Sequence, residues 1–208
     1  MAALVAVLDY GIGNLHSAQK ALQRVGADAR LTADPALVRD ASGVVLPGVG
    51  NFGRCMEALE RAELDELAIE CAGSGRPFLG VCIGMQMLYQ GSEESPDVPG
   101  LGVLPGVVRL LPDGVKRPQM QWNVLVRRGP SGLLKGLPDP TWAYFVHSFA
   151  ADNDDHAIAV CDYGGPVVAA VERESLWATQ FHPEKSGRNG LAILANFVAQ
   201  AAAHAEAA

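Results

Sequence analysis

What this chain lacks narrows what it can be. It has no basic run, and its 16 Lys and Arg are outnumbered by 23 Asp and Glu, for a formal charge of -7. A nucleic acid or an anionic membrane surface is therefore a poor match as main partner. No uninterrupted apolar run approaches the ~18 residues that a membrane-spanning helix needs. The opening M-A-A-L-V-A-V-L-D-Y has no basic n-region and meets Asp9 almost at once, so it reads as a first strand and not as a signal peptide. The four cysteines, Cys55, Cys71, Cys82 and Cys161, show no C-x-x-C spacing. Reduced thiols in a cytoplasmic protein follow from that, with no metal centre and no cofactor expected. Low-complexity tracts are missing too, apart from an Ala-rich tail after Leu191 that predicts a terminal helix.

What is present is a globular composition. Hydrophobic residues make up 49% and charged residues 19% of 208 positions, enough for one domain, 1–208, with a substantial core. Leu4 to Leu8 is an unbroken apolar run, as in a strand buried on both faces. From Asn14 to Val25 apolar residues recur at helical spacing, and Gly26 sits where a glycine ends a helix. A weaker strand, Ala29 to Thr32, and a short helix, Pro35 to Arg39, come next, then a strand from Gly43 to Leu46 stopping at Pro47-Gly48. Phe52 to Cys71 reads as one helix, Phe78 to Val81 as a strand, and Met85 to Tyr89 as the start of a further helix. This alternation predicts an α/β fold with a mixed, mainly parallel central sheet covered by helices. After Gly91 the pattern shifts to short Val-, Leu- and aromatic-rich runs punctuated by Pro and Gly. These predict partly antiparallel strands at 106–111, 122–127, 141–150, 157–161, 167–172 and 176–181, with 107–140 as a β-rich flank.

Two stretches carry chemistry. G-V-C-I-G at 80–84 has the form G-x-nucleophile-x-G at a strand-to-helix junction. A sharp turn there lifts Cys82 above the sheet edge, and small residues two before and two after clear the neighbouring chain. A helix beginning just beyond points its N-terminus at the sulfur and favours thiolate. By itself the pentad also fits a buried cysteine between incidental glycines. The second stretch is Q-F-H-P-E at 180–184. In an extended segment His182 and Glu184 share one side, and a carboxylate there fixes the imidazole tautomer and stabilises its protonated form. Alone it also fits a surface His-Glu pair. Together they make a Cys-His-Glu triad assembled from distant parts of the chain, which points to a thiol acyl-transfer enzyme.

G-V-G-N-F-G at 48–53 matches G-x-G-x-x-G literally, but the strand after it ends at Cys82 without the acidic residue a dinucleotide site wants. Its backbone N–H groups at Gly48, Val49 and Gly50 can face a developing oxyanion instead. Of the remaining histidines, His147 lies inside a predicted strand, His16 and His204 lie on predicted helices, and His156 follows an acidic turn at Asp154-Asp155. The other three cysteines read as packing.

These motifs, with D-Y-G-I-G-N-L at 9–15, S-E-E at 92–94, M-Q-W-N at 120–123 and Y-F-V-H-S-F at 144–149, run in order along nearly the whole chain. In them the sequence resembles the class I, triad-type glutamine amidotransferases, which have a flavodoxin-like core. Within that class it is most similar to the glutaminase subunits of imidazole glycerol phosphate synthases. The resemblance implies Cys82 as nucleophile, His182 as general acid/base and Glu184 as its orienter. It places Gln86, Glu94 and the backbone of His147, Ser148 and Phe149 around the glutamine's α-amino and carboxylate groups. Oxyanion donors would come from the Pro47 to Gly50 strand, after a peptide flip at Val49, and from the N–H of Ile83. Asn14, Trp122, Asn123, Tyr144 and Lys185 would meet a cyclase partner, a (βα)8 barrel, in a heterodimer that passes ammonia internally. In that setting activity would be low until the partner binds. Gln121 departs from the family's glycine there and puts a side chain near the expected interface.

Two rivals stand beside this reading: a triad enzyme with another job, either a glutaminase serving another synthase, such as the pyridoxal phosphate one, or a stand-alone thiol hydrolase; and a non-catalytic subunit holding a nucleotide phosphate at glycines 48 to 53. A glutamine-like electrophile separates the classes. Covalent labelling at Cys82 that Cys82→Ala abolishes supports the enzyme, and nucleotide binding without labelling supports the binding subunit.

Overall fold

The computed structural model describes residues 2–153 and 155–207; Met1, Ala208 and Asp154, from the expected acidic turn, lie outside them. Five parallel strands run through one half of a nine-stranded sheet: β1 (Leu4–Leu8), β2 (Asp28–Thr32), β3 (Gly43–Gly48), β4 (Phe78–Cys82) and β11 (Leu176–Thr179). They lie in the order β2-β1-β3-β4-β11, a doubly wound arrangement whose ligand crevices open at the strands' carboxyl ends. Every residue of β3, β4 and β11 is buried, which is why these strands read as unbroken apolar runs. Each large side chain so buried contributes about 1.5–3 kcal/mol.

The sheet continues antiparallel from β11 through β10 (Pro166–Arg173), β9 (Ala157–Asp162) and β6 (Gln119–Arg127) to β7 (Thr141–His147) at the edge. A separate ribbon pairs β5 (Val108–Leu110) with β8 (Phe149–Ala151). Helices α1 (Leu15–Arg24), α2 (Pro35–Asp40), α3 (Phe52–Arg61), α4 (Asp65–Gly73), α5 (Ile83–Met87) and α6 (Gly187–Ala207) complete the mixed α/β architecture expected from the sequence. Local chemistry sets several ends. Asp34 accepts from Ala36 N–H (2.9 Å) with Pro35 in the first turn of α2, and Asn51 accepts from Arg54 N–H (3.1 Å) at the start of α3. Among the described residues, no helix is long and apolar enough to cross a membrane.

Three boundaries differ from the sequence reading. The helix expected over Phe52 to Cys71 is two helices, because Glu63 takes φ 55° and Leu64 N–H bonds back to the Leu59 carbonyl (3.1 Å) as Leu64 turns into the core. No glycine marks that break. The third strand runs through Pro47 to Gly48, paired in register with Val81 and Cys82. The strand expected over 141–150 divides at Ser148: β7 stays on β6, while β8 crosses to β5, and the Ser148 carbonyl accepts from Leu111 N–H (2.9 Å). That switch of partners carries His147, Ser148 and Phe149 across the carboxyl end of the parallel strands.

Main chain packs against main chain very closely where β4 enters α5. A Cβ on Gly84 would stand 1.8 Å from the Leu46 carbonyl oxygen, and one on Gly80 would meet the Gly84 carbonyl and Leu88 at 3.0 Å. Gly84→Ala is expected to cost about 3 kcal/mol or more, because backbone and not a flexible side chain must move. Urea unfolding of the two proteins measures it.

Candidate active site

Cys82 ends β4 with φ 56° and ψ -111°, a conformation rare for a residue with a side chain. The turn forces it: the chain must leave the strand, pass under the Leu46 carbonyl at Gly84 and enter α5 at once. The residue is nearly buried (3% exposed) and lines a cavity of about 400 Å³ at the carboxyl ends of the parallel strands.

His182 follows β11 and reaches the same cavity. Its main chain is clamped: His182 N–H donates to the Tyr144 carbonyl (3.0 Å), and the Ser186 hydroxyl donates to the His182 carbonyl (2.7 Å) while accepting from Tyr144 N–H (2.9 Å). The His182 Nδ1 lies 2.8 Å from Glu184 Oε1, with both side chains almost wholly buried. Burial opposes the charged imidazolium, but the pull of the nearby Cys82 sulfur and of the Glu184 carboxylate prevails and pushes its pKa up to about 10. Glu184 stays behind the ring, outside the main cavity's lining.

The other predicted site residues are gathered as follows. Val49, Gly50 and Ile83 line the cavity beside Cys82, while Gly48 sits one layer below, paired with Cys82 in the sheet. Gln86, Glu94, His147, Ser148 and Phe149 form a further stretch of its wall. Asn14 and Lys185 also line the cavity, whereas Trp122, Asn123 and Tyr144 do not. Trp122 and Tyr144 pair across β6 and β7 with ring centroids 6.0 Å apart, and Gln121 is exposed beside them. Trp122 (47% exposed), Met120 (62%) and Trp142 (47%) stand on one side of this hairpin by strand alternation, an apolar face open to solvent.

The wall holds unusual polar atoms. His147, 5% exposed, directs Nδ1 at the Phe149 carbonyl (2.8 Å), so that nitrogen carries the proton and Nε2 is left as an acceptor. Burial, opposed by that hydrogen bond, lowers its pKa to about 4. His147 Nε2, Gln86 Oε1 and His182 Nε2 are all buried without a hydrogen-bond partner among the described residues. Glu94 uses one carboxylate oxygen to accept from Phe52 N–H at the start of α3 (2.7 Å). The helix end that a phosphate would occupy in a nucleotide site is therefore already met by a carboxylate.

Several residues that sequence reasoning did not assign to the site hold it together. The Tyr10 hydroxyl donates to the Pro47 carbonyl (2.6 Å), and burial keeps its pKa well above the usual phenol value, so it remains a donor. Cys55, read as packing, is fully buried and also donates its thiol to the Val49 carbonyl (3.3 Å). Gln180, at the start of the Q-F-H-P-E stretch, touches both Gln86 and Cys82. No local pattern marks these roles, since each depends on a partner brought close by the fold. Among the described residues no three His, Cys, Asp or Glu side chains cluster as a metal site.

The chain belongs to the class-I glutamine amidotransferase family, whose model matches residues 6–201. Within it the sequence is similar to proteins named imidazole glycerol phosphate synthase subunit HisH. It is 49% identical to that of Deinococcus radiodurans over 197 residues, covering 93% of this chain and 92% of the relative. It is 47% identical to that of Methanothermobacter thermautotrophicus over 196 residues, covering 94% of this chain and 98% of the relative. Among solved structures, the structure of PurLQS from Thermotoga maritima aligns with a TM-score of 0.75 at 20% identity, covering 96% of this chain and 99% of that one. A structure titled only as a glutamine amidotransferase aligns with the same score at 19% identity, covering 95% and 98%. At such identity the likeness speaks for the fold alone.

The two histidines tilt stability in opposite directions with pH. His147 has a folded pKa below its unfolded value, so its contribution is intact above pH 6.5 and lost as pH falls toward 4. His182 has a raised one, so its contribution is intact below pH 6.5 and lost as pH climbs toward 10. His147→Gln is expected to flatten the acid side, removing up to about 3 kcal/mol of the stability loss between pH 6.5 and 4. Urea unfolding of both proteins at the two pH values checks it.

Proposed function

We propose that this chain, as one amidotransferase domain spanning 1–208, is the glutaminase subunit of an imidazole glycerol phosphate synthase. It hydrolyses L-glutamine to glutamate and ammonia and passes the ammonia to a cyclase partner, which forms imidazole glycerol phosphate and an aminoimidazole carboxamide ribotide. The observation that carries the reading is the buried His182–Glu184 pair opening on the same cavity as Cys82, itself held on a positive-φ elbow. The names of the relatives support the particular synthase.

In this reading the Cys82 thiolate attacks the side-chain amide carbon of glutamine. The C–O π electrons move to oxygen, which the N–H groups of Ile83 and of the Val49 region stabilise. His182, protonated and steadied by Glu184, gives its proton to the amide nitrogen, and ammonia leaves as a thioester forms. Water then attacks the thioester with His182 as base, releasing glutamate and restoring the thiolate. The substrate's α-ammonium supplies donors to a wall rich in acceptors: the Glu94 carboxylate, Gln86 Oε1 and His147 Nε2. The unpartnered state of the last two is a reason to expect a cationic group there.

The cyclase, a (βα)8 barrel in a heterodimer, covers the apolar face of the β6–β7 hairpin. Trp122, Asn123 and Tyr144 on that hairpin, with Asn14 and Lys185 at the cavity, form the contact, so ammonia leaves into the partner and not into bulk water. Four free thiols are in keeping with a reducing, cytoplasmic setting.

The test is a glutaminase assay of the chain with the cyclase subunit recovered by pull-down. Turnover should rise when the partner and its ligand are present. Cys82→Ala should lower it at least about a thousandfold, and Glu184→Gln by about a hundred- to ten-thousandfold in kcat. Turnover surviving Cys82→Ala would end this reading, and failure of any cyclase to bind would end the assignment of partner.

A further inference from the structure

Gln180 is wholly buried where the chain leaves β11, and its backbone N–H is fixed on the Ala169 carbonyl (2.8 Å). Its side chain bridges two groups. One end lies 3.0 Å from Gln86 Nε2 and the other 3.9 Å from Cys82 Sγ.

Which end of the amide faces the sulfur follows from its neighbours. The Phe149 carbonyl can only accept, and Gln86 approaches it at 2.9 Å, so Gln86 presents its NH2 group there. The same nitrogen faces Gln180, so the Gln180 atom opposite it must be the oxygen. The NH2 group of Gln180 is then left for the sulfur. His147 Nδ1–H fills the second acceptor position of the Phe149 carbonyl, which locks the first link of the chain.

We propose that Gln180 is a positioning residue of the thiol centre, donating an N–H to the Cys82 sulfur in an orientation enforced through Gln86 by the Phe149 carbonyl. A negative sulfur accepts such a bond more strongly than a neutral thiol, so the donor favours the reactive form. The chain has an open end. Gln86 Oε1 is a buried acceptor without a partner among the described residues, and Gln86 lines the cavity. On the glutaminase reading, from which this second half takes its substrate, the α-ammonium of glutamine donates to that oxygen. Each bond then polarises the next, and occupancy of the amino-acid subsite reaches the sulfur through Gln86 and Gln180.

Two substitutions test it. Gln180→Glu keeps the shape and the oxygen toward Gln86 and, when ionised, has no donor for the sulfur. Gln180→Met removes both polar groups at similar volume and without charge. The readout is the rate of Cys82 alkylation by iodoacetamide in the full chain as a function of pH, with the modified cysteine located by mass spectrometry. Both variants are expected to react about three- to tenfold more slowly at neutral pH, with the whole rate profile moved to higher pH. A purely structural role would lower the melting temperature and leave that profile in place, and an unmoved profile in folded Gln180→Met overturns the proposal. Should the buried charge of Gln180→Glu prevent folding, the neutral variant decides alone. Alkylation needs no glutamine turnover, so the two readings fail separately. A moved profile in a chain that never hydrolyses glutamine counts against the glutaminase and leaves Gln180 standing. An unmoved profile with turnover intact counts against Gln180 only.

Discussion

The contact on which the rest depends is main chain against main chain: Gly84, in the first turn of α5, passes directly beneath the Leu46 carbonyl of β3. Because β3 and β4 are neighbours in register, this contact leaves the chain no gradual way out of β4. All of the turning falls on Cys82, whose left-handed backbone is the consequence. Packing that cannot relax thus holds one side chain above the carboxyl edge of the sheet, where the doubly wound order already opens a crevice. The strain at Cys82 is local, while the structure that sustains it is the whole parallel half of the fold.

Around that fixed point the other groups arrive on separate pieces of chain. β11, next to β4, delivers Gln180 and His182 to the same level of the sheet. β7 grips the His182 segment through Tyr144 and Ser186, and then changes partner at Ser148 to bring its own end across the cavity. The strand Pro47 to Gly50 is tied at two carbonyls, one by a phenol and one by a thiol. Polar groups buried this deeply are expensive unless paired. Most here are paired, and the residues that carry unpaired atoms at the site, Gln86, His147 and His182, all border one cavity.

Much of this is legible in the sequence because its signals are short-range. Unbroken apolar runs mark β1, β3 and β4, and the glycines around Cys82 mark the elbow, since both patterns follow from contacts within a few residues or across a uniform sheet. The break at Glu63 is not legible, because a left-handed non-glycine residue there is imposed by Leu64 finding its place in the core. The division of β7 from β8 is hidden for a related reason: an alternating strand looks the same whichever neighbour it pairs with. In the site, His182 and Glu184 can be read as neighbours in the chain. Tyr10, Cys55 and Gln180 cannot, because a hydroxyl, a thiol or an amide gains its meaning from a partner 37, 6 or 98 residues away.

The near-complete burial of Cys82 has a consequence for what the protein can encounter. A thiolate reacts with many things, and nothing in its own chemistry separates an amide from an oxidant or a foreign disulfide. Here Cys82 borders a confined space of about 400 Å³ whose lining also carries the Glu94 carboxylate and the unpartnered acceptors of Gln86 and His147. On the glutaminase reading proposed above, selection then happens at admission, before any bond is made, and the fold acts as a sieve guarding an indiscriminate reagent.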